Sequence, residues 1–343
     1  MTKPTIPRPA LAITLLIIAT SCQVKAPNTY SFALWGDMPY TRNGDGAKDG
    51  EKMTRLLASM NSAHLAFTVY DRDTKDGASL CTDSAIGLEV QTLFNKLQAP
   101  TVYVPGDNEW TDCHRRNNGG YNALERLDYL RKTLFADGFS FGQNKIPLQR
   151  QGAAGGLYAE NVRWQQGSVV FVGLNMPGSN NNKVHDGHCL NPKSARTEAD
   201  CTADNAEYRA RDAANIAFLR ASFAIARQQE AVGLMVIIQA DPGFDLPETD
   251  TENERQKAGF DGYDAFLAAL IAETKAFNGQ VVLAHGDTHF YKVDKPLADS
   301  AHLLKNLTRV ETFGSPNLHW VQVQMDASNP NVFSFQPMMV DGN

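Results

Sequence analysis

Six short stretches of this chain combine carboxylate, amide and imidazole side chains, the donors that bind divalent metal ions. They occupy residues 36–40, 71–73, 106–110, 175–180, 239–242 and 285–289, and each follows an apolar run. Turns favour Asp, Asn and Gly for reasons of backbone geometry, so one such stretch would be ordinary. Six of them indicate a metal site, and the donor types favour Mn, Fe, Zn or Mg over copper or an iron–sulfur cluster.

Two such ions, about 3.5–4 Å apart, would hold the attacking and leaving oxygens of a phosphoryl displacement. A carboxylate shared between the ions would explain why acids predominate among the candidates. Histidine is largely neutral near pH 7 and is therefore free to act as a ligand. The pattern predicts hydrolysis of a phosphate ester by metal-activated water.

The apolar runs themselves predict strands at residues 31–35, 66–70, 101–104, 168–174, 234–238 and 281–284. Helical patterns lie between or after them at residues 52–60, 85–97, 123–134, 206–229 and 263–277. Strands that alternate with helices predict βαβ units and a mainly parallel sheet. Since ligands bind beyond the carboxyl ends of such strands, the candidate side chains would meet at one edge.

The tail of the chain differs from the rest. Residues 308–313, 320–325 and 332–335 are strand-like with short polar breaks, which predicts antiparallel strands that finish a second sheet. The polar stretch 178–202 predicts a long surface loop closed by a disulfide. The simplest interpretation is one α/β domain with two stacked sheets.

The first residues are typical of an export signal. Lys3 and Arg8 precede an apolar run at residues 10–19, which is too short to span a bilayer comfortably. The small residues before Cys22 resemble a bacterial lipobox, in which Cys22 would become the acylated N-terminus; a simple signal peptide cut nearby is the alternative. The expected division is a signal peptide over 1–22, a tether over 23–29 and a single domain over 30–343.

Cysteine usage agrees with export to a periplasmic or cell-envelope location, lipid-anchored to the membrane through Cys22. Without Cys22, the five cysteines leave Cys81, Cys113, Cys189 and Cys201. In an oxidising compartment these predict two disulfides, for which three connectivities exist. Pairing of neighbours, Cys81 with Cys113 and Cys189 with Cys201, is preferred.

Composition limits the substrate class. A hydrophobic content of 43% with 20% charged residues describes a globular protein with a sizeable core. The net charge of -6 argues against a nucleic-acid partner, which would need a basic face. A small phosphorylated substrate remains compatible, because bound metal reverses the local field.

The strand-end pattern resembles that of the calcineurin-like metallophosphoesterases, which carry Asp-x-His, Gly-Asp, Gly-Asn-His-Asp/Glu, a lone His and Gly-His-x-His after successive strands. The resemblance covers nearly the whole chain after the signal and implies a four-layer α-β-β-α sandwich. By position, Asp37 corresponds to the first aspartate, Asp73 to the bridging aspartate, Asn108 to the asparagine ligand and His289 to the final histidine. It implies that Asp37, Asp73 and His289 hold one ion, and that Asp73 and Asn108 hold the other.

The departures from that pattern remove most histidines. The first His, the Gly before the bridging aspartate, the catalytic His, the lone His and the penultimate His correspond to Pro39, Arg72, Glu109, Ala240 and Asp287. Acids or histidines at or beside these positions make Asp241, His285 and Asp287 further candidate ligands. An oxygen-rich set of this kind favours Mn or Mg over Zn.

The chain is identified as a member of a divergent subgroup with the motifs Gly-Asp-x-Pro-Tyr, Gly-Asp-Asn-Glu-Trp-Thr-Asp-Cys-His-Arg and His-Gly-Asp-x-His. With the catalytic histidine replaced, Glu109 or His114 is the candidate general acid, since a carboxyl group with a raised pKa can protonate a leaving group. The candidate substrate-binding residues are Tyr40, Arg115, Asn175 and Asn180. Asp71 remains an alternative to Asp73 as the bridging acid.

The sequence therefore predicts one of two functions. The first is an exported hydrolase of a phosphate mono- or diester with two divalent ions. The second is a metal-binding or ligand-binding lipoprotein that keeps the fold without turnover, which the missing histidines favour.

Overall fold

The structure is a computed structural model that describes Met1 and residues 29–41, 48–185, 189–244, 259–299 and 301–343. The predicted signal segment, Cys22 and nearly all of the predicted tether lie outside the described residues. The division into one domain stays a prediction.

One sheet has five strands in the order β14-β13-β1-β2-β3. These are β1 (Thr29–Trp35), β2 (Thr68–Tyr70), β3 (Thr101–Tyr103), β13 (Trp320–Asp326) and β14 (Phe333–Met338). β1, β2 and β3 run parallel, whereas β13 pairs antiparallel with both β1 and β14.

The other large sheet has seven strands in the order β4-β5-β6-β7-β8-β12-β9. These are β4 (Gln149–Arg150), β5 (Val162–Gln166), β6 (Val169–Gly173), β7 (Gly233–Ile237), β8 (Gln280–His285), β9 (Lys292–Asp294) and β12 (Leu307–Glu311). β6, β7, β8 and β12 run parallel. A separate pair consists of β10 (Leu297–Asp299) and β11 (His302–Leu303).

Helices cover the outer face of each sheet. They are α1 (Gly50–Ser62), α2 (Glu89–Phe94), α3 (Ala123–Leu134), α5 (Glu198–Gln228) and α6 (Asp264–Lys275). A four-residue helical segment, α4 (Gly178–Asn181), follows β6. A single π-helical turn, Ser84–Leu88, leads into α2. The apolar side chains of α1, α2 and α3 pack with the five-stranded sheet, and those of α5 and α6 pack with the seven-stranded sheet.

Strand β1 shows how the layers form. Its side chains alternate, so Phe32 and Leu34 join the core between the sheets while Ala33 and Trp35 join the core under the helices. The Phe32 ring meets Phe171 of β6 edge-on at a centroid distance of 5.4 Å. The order is helix, sheet, sheet, helix, and the predicted four-layer α/β fold class is confirmed.

Two local predictions were wrong. The strand predicted at residues 308–313 is β12, and it does not join β13 and β14. It lies in the seven-stranded sheet, parallel to β8 and antiparallel to β9. The stretch 178–202 is not all loop, because α5 already begins at Glu198. There Thr197 and Asp200 form a capping box, in which each side chain accepts a hydrogen bond from the other residue's backbone N–H.

Both predicted disulfides are present. Cys81 bonds to Cys113 across 32 positions of sequence, and Cys189 bonds to Cys201 across 12. Among the described residues, no helix is both long and apolar enough to cross a membrane.

Replacing Cys81 and Cys113 together by serine is expected to lower the free energy of unfolding. The loop that the bridge closes spans 32 positions, and its lost closure entropy corresponds to about 3–4 kcal/mol. Both sulfurs are also fully buried. The matched control replaces Cys189 and Cys201, whose shorter loop predicts a smaller loss of roughly 3 kcal/mol or less. Urea unfolding followed by circular dichroism compares the pairs, and a larger loss in the control pair would contradict the expectation.

Candidate metal centre

Strand ends from both sheets meet at one edge of the sandwich. β1 leads into Asp37, β2 into Asp73, β3 into Asn108, and β8 into Asp287 and His289. β1, β2 and β3 run parallel to one another in one sheet, and β8 runs parallel to β7 and β12 in the other, so each set of strands ends at one edge of its sheet. The predicted gathering of acids at the carboxyl ends is therefore present.

Asp73 lies at the centre of this group. Its Oδ1 accepts a hydrogen bond from the Asn108 backbone N–H at 3.1 Å, and its Oδ2 accepts one from Asn108 Nδ2 at 2.8 Å. The Tyr40 hydroxyl lies 3.3 Å from Asp73 Oδ2 and 3.0 Å from Asp37 Oδ1. His289 Nε2 lies 3.7 Å from Asp37 Oδ1. Five residues chosen from sequence thus share one site.

Asp107 also belongs to this group, although Asn108 was the ligand predicted from sequence at this strand end. Its Oδ2 lies 2.9 Å from the Ser179 hydroxyl, and after burial its charge is the largest cause of the raised pKa values of Asp73 and Asp287. Gln239 is a second addition, because its Nε2 donates to Asp287 Oδ1 at 3.2 Å. Asp107 and Gln239 could have been predicted from sequence, because both lie within the polar stretches that follow strands, at residues 106–110 and 239–242.

Crowding of buried acids defines the electrostatics of the site. Burial, and then the charge of Asp107, raises the pKa of Asp73 and of Asp287 well above the usual range. Burial raises the pKa of Glu109 and of Asp112 to about 7. A cation among these oxygens would favour the ionised forms, so the donor set of Asp73, Asp107 and Asp287 fits a divalent ion with oxygen preference.

Arg72 occupies the side of the site where the first ion of a pair is expected. It is fully buried, and its Nη1 donates to Asp37 Oδ2. Its Nη2 lies 2.8 Å from the carbonyl oxygens of both His285 and Thr312. A Cβ added to Gly286 would lie 1.7 Å from Arg72 Nε, so that glycine leaves the room that the guanidinium fills.

The two-ion arrangement fits this chain poorly for that reason. One oxygen of Asp37 is already paired with an internal cation, and the Tyr40 hydroxyl lies between Asp37 and Asp73. The residues present fit one divalent ion beside Asp73, Asp107 and Asp287. Arg72 supplies a fixed positive charge next to it.

Asp71 does not face the same site. Its carboxylate is buried beside Arg72 Nε at 3.6 Å, and neither of its oxygens has a hydrogen-bond partner among the described residues. Burial raises its pKa to about 7. Of the two acids after β2, Asp73 is the one that meets Tyr40 and Asn108.

Asp241 and His285 form a separate group with Glu311, a residue that the sequence analysis did not select. Glu311 ends β12 and is the register partner of His285 at the end of β8. Its strand was assigned to the wrong sheet from sequence, which explains why it was missed.

The two candidate general acids are placed unfavourably. Glu109 is fully buried, and its carboxylate accepts backbone hydrogen bonds from Thr74 at 2.7 Å and Gly106 at 3.1 Å, so it anchors two loops. His114 contacts the Ser194 hydroxyl at 2.9 Å. Burial, followed by nearby arginines, lowers the pKa of His114 to about 3, so it carries no acidic imidazolium proton at pH 7.

Asn175 does not line the site, which corrects its assignment as a substrate-binding residue. It is fully buried, and its Nδ2 donates to Glu160 at 3.1 Å. Its carbonyl accepts a hydrogen bond from Arg211 at 2.8 Å. Its role is to join β6 to α5.

Arg115 and Asn180 line a cleft of about 970 Å³ that also reaches Asp112, Asp241 and Asp287. Arg115 Nη2 lies 2.6 Å from Asp112 Oδ2. The cations that line this cleft are Arg115, Arg116, Lys183, Lys193 and Arg196. Three of these cations are ion-paired, Arg115 with Asp112, Lys183 with Asp261 and Arg196 with Asp204. An anionic ligand at this basic mouth would meet their remaining donors together with Arg116 and Lys193.

No protein-family profile and no curated protein sequence matches this chain. Among solved structures it is similar to GAP50, the anchor in the inner membrane complex of Plasmodium, at 11% identity and a TM-score of 0.44, with 92% of this chain and 90% of that chain covered. It is similar to PhoD at 11% identity and a TM-score of 0.46, with 90% and 68% covered. It is also similar to the Thermus thermophilus sulfate thiohydrolase SoxB in complex with glycerol, at 11% identity and a TM-score of 0.40, with 84% and 42% covered.

Cation-free protein is expected to lose stability as the pH rises. The pKa values of Asp73 and Asp287 are raised on folding, so the folded state holds protons that the unfolded state has released above about pH 4. The free energy of unfolding should therefore fall by roughly 1–3 kcal/mol between pH 5 and pH 8.

Urea titrations at several pH values measure this slope. Millimolar Mn²⁺ or Mg²⁺ should flatten it, as should Asp287→Asn. The exposed Asp341→Asn serves as the control and should keep the slope. An increase in the free energy of unfolding between pH 5 and pH 8 in cation-free protein would contradict the raised pKa values of Asp73 and Asp287.

Proposed function

We propose that this chain is a divalent-cation-dependent hydrolase of small phosphate esters. The observation that supports it is the group of buried Asp73 and Asp107 with partly exposed Asp287, which opens through Asp287 onto a cleft lined by cations. Acids at the floor suit a metal ion, and the basic mouth suits a phosphate.

The bound ion would supply Lewis acidity and lower the pKa of a water molecule. The chain's own residues prepare the site for it. The Ser179 hydroxyl lies 2.9 Å from Asp107 Oδ2 and 2.7 Å from Asp112 Oδ1, and its single proton is donated to one of these carboxylates at a time. Arg115 has the planar guanidinium that binds two phosphate oxygens at once, and its side chain is 39% exposed in the cleft.

A second candidate function is binding without turnover. It is favoured by Arg72 and Tyr40, which lie where one ion of a metal pair would otherwise sit and help to activate water. Such a protein would hold a cation and an anionic ligand in the same cleft. Both candidate functions require the same carboxylates, so ligand-binding measurements would not separate them. Catalytic assays do, because only the hydrolase turns over an ester.

The location belongs to the proposal as well. An exported protein of the bacterial cell envelope, anchored by a lipid on Cys22, would mature where thiols oxidise. Support comes from the two disulfides within the described residues.

Turnover is tested on p-nitrophenyl phosphate and bis-p-nitrophenyl phosphate with Mn²⁺, Mg²⁺, Zn²⁺ or Ca²⁺, which also distinguishes monoester from diester hydrolysis. Asp73→Asn and Asp287→Asn should each lower kcat at least about a hundredfold, because each removes a charged ligand. Asp341→Asn, on the exposed C-terminal turn, should leave kcat unchanged. Cation binding by the wild-type chain without turnover of either ester would favour the binding function.

Arg115→Ala is expected to lower kcat/KM by about tenfold to a hundredfold, the value of a lost charge-assisted hydrogen bond. Arg115→Lys should recover only part of this loss, since an ammonium group binds one oxygen at a time. Arg227→Ala, which removes a partly exposed arginine paired with Glu273 on the helical face, is the matched control. Equal kinetics for Arg115→Ala and the control would exclude the proposed contact.

A further inference from the structure

Three buried side chains lie together at the ends of adjacent strands, behind Arg72. Asp241 follows β7, His285 ends β8 and Glu311 ends β12. One ligand atom from each lies within 4.8 Å of those of the other two. His285 and Glu311 are fully buried, and Asp241 is 6% exposed.

The tautomer of His285 leaves a lone pair available in this group. Its Nδ1 lies 3.1 Å from the Gly286 carbonyl oxygen, which can only accept, so the proton belongs on Nδ1. Its Nε2 has no hydrogen-bond partner among the described residues. A buried imidazole fixed at Nδ1 with a bare Nε2 is the arrangement of a metal ligand.

The two carboxylates also keep an oxygen for a further partner. Asp241 Oδ1 accepts a hydrogen bond from the Gly243 backbone at 3.0 Å. Glu311 Oε1 accepts from the Thr288 hydroxyl, whereas its Oε2 faces the Lys292 ammonium group at 3.1 Å. Each carboxylate is thus held through one oxygen by a neighbouring loop and turns the other oxygen toward Lys292.

Lys292 is the competing cation. Its Nζ lies 3.1 Å from Glu311 Oε2 and 4.0 Å from Asp241 Oδ2, and its side chain is 32% exposed. Arg309 and Arg72 also act on these carboxylates, but they are paired with Asp294 and Asp37, so Lys292 is the cation that contacts the group directly. Because Lys292 reaches solvent, it can move aside, and Asp241 borders the cleft and gives an entry path.

We propose that Asp241, His285 and Glu311 form a second metal site, which takes a divalent transition metal with imidazole affinity such as zinc. Tetrahedral zinc with bonds of about 2.0–2.2 Å places its ligand atoms about 3.3–3.6 Å apart, so ligand atoms that lie within 4.8 Å of one another must close in by up to about 1.5 Å on binding. This site is distinct from the group of Asp73, Asp107 and Asp287 and contains none of its residues.

The metal at this site has a positioning role. Glu311 also holds the loop after β8, through Thr288 and the Phe290 backbone N–H at 3.4 Å. That loop carries Asp287 and His289, both with positive φ angles of 81° and 64°. A metal on Glu311 and His285 would fix both ends of this strained segment.

The test is a metal-binding measurement on the full chain, stripped with chelator and then equilibrated with zinc in millimolar Mg²⁺. We expect wild type and Asp73→Asn to retain one zinc equivalent, measured by mass spectrometry of the metal. His285→Gln and Glu311→Gln should each lose it. Lys292→Gln should bind zinc about tenfold more tightly, because a partly exposed competing charge is removed.

Circular dichroism checks that each variant is folded. Should the variants of buried residues fail to fold, the tighter zinc binding expected of Lys292→Gln still tests the site. Cobalt substitution adds a visible absorption band that His285→Gln should abolish. Failure of the wild type to retain zinc, or loss of zinc by Asp73→Asn with retention by His285→Gln, would overturn the proposal. The readout does not use phosphoesterase activity, so it stands apart from the proposed function.

Discussion

The buried guanidinium of Arg72 is the interaction on which the candidate site depends. It joins the end of β2 to Asp37 after β1 and to the carbonyls of His285 and Thr312 in the other sheet. Removing one partner from such a group leaves a buried charge uncompensated, which is strongly destabilising. The two sheets are therefore locked at the edge where the acids gather.

This fixed cation changes the chemistry that the edge can support. A metal ion exchanges with solvent and can hold water, whereas a guanidinium does neither. Asp37 therefore serves as the ion-pair partner of Arg72. The carboxylates left to bind an exchangeable ion are those of Asp73, Asp107 and Asp287. The absence of histidine from most of these positions agrees with an oxygen-binding ion on the cleft side.

The strand pattern was sufficient to place Asp37, Asp73, Asn108 and His289 together, because parallel strands end at a common edge whatever the loops do. It could not distinguish Asp107 from Asn108, since neighbouring residues in a loop point in directions set by local torsions. Glu311 was out of reach for another reason: its position depends on the pairing of β12 with β8, a contact between segments distant in sequence. The roles of Glu109 and Asn175 depended on burial, which a strand-end motif does not reveal.

The bridge between Cys81 and Cys113 closes the segment that contains β3, Asp107 and Asn108. With the thiols reduced, that segment gains conformational freedom, and its donor atoms must be ordered at the moment an ion arrives. At the proposed cation site, thiol oxidation and cation affinity would therefore be thermodynamically linked. The oxidised chain would bind an ion from a preorganised state.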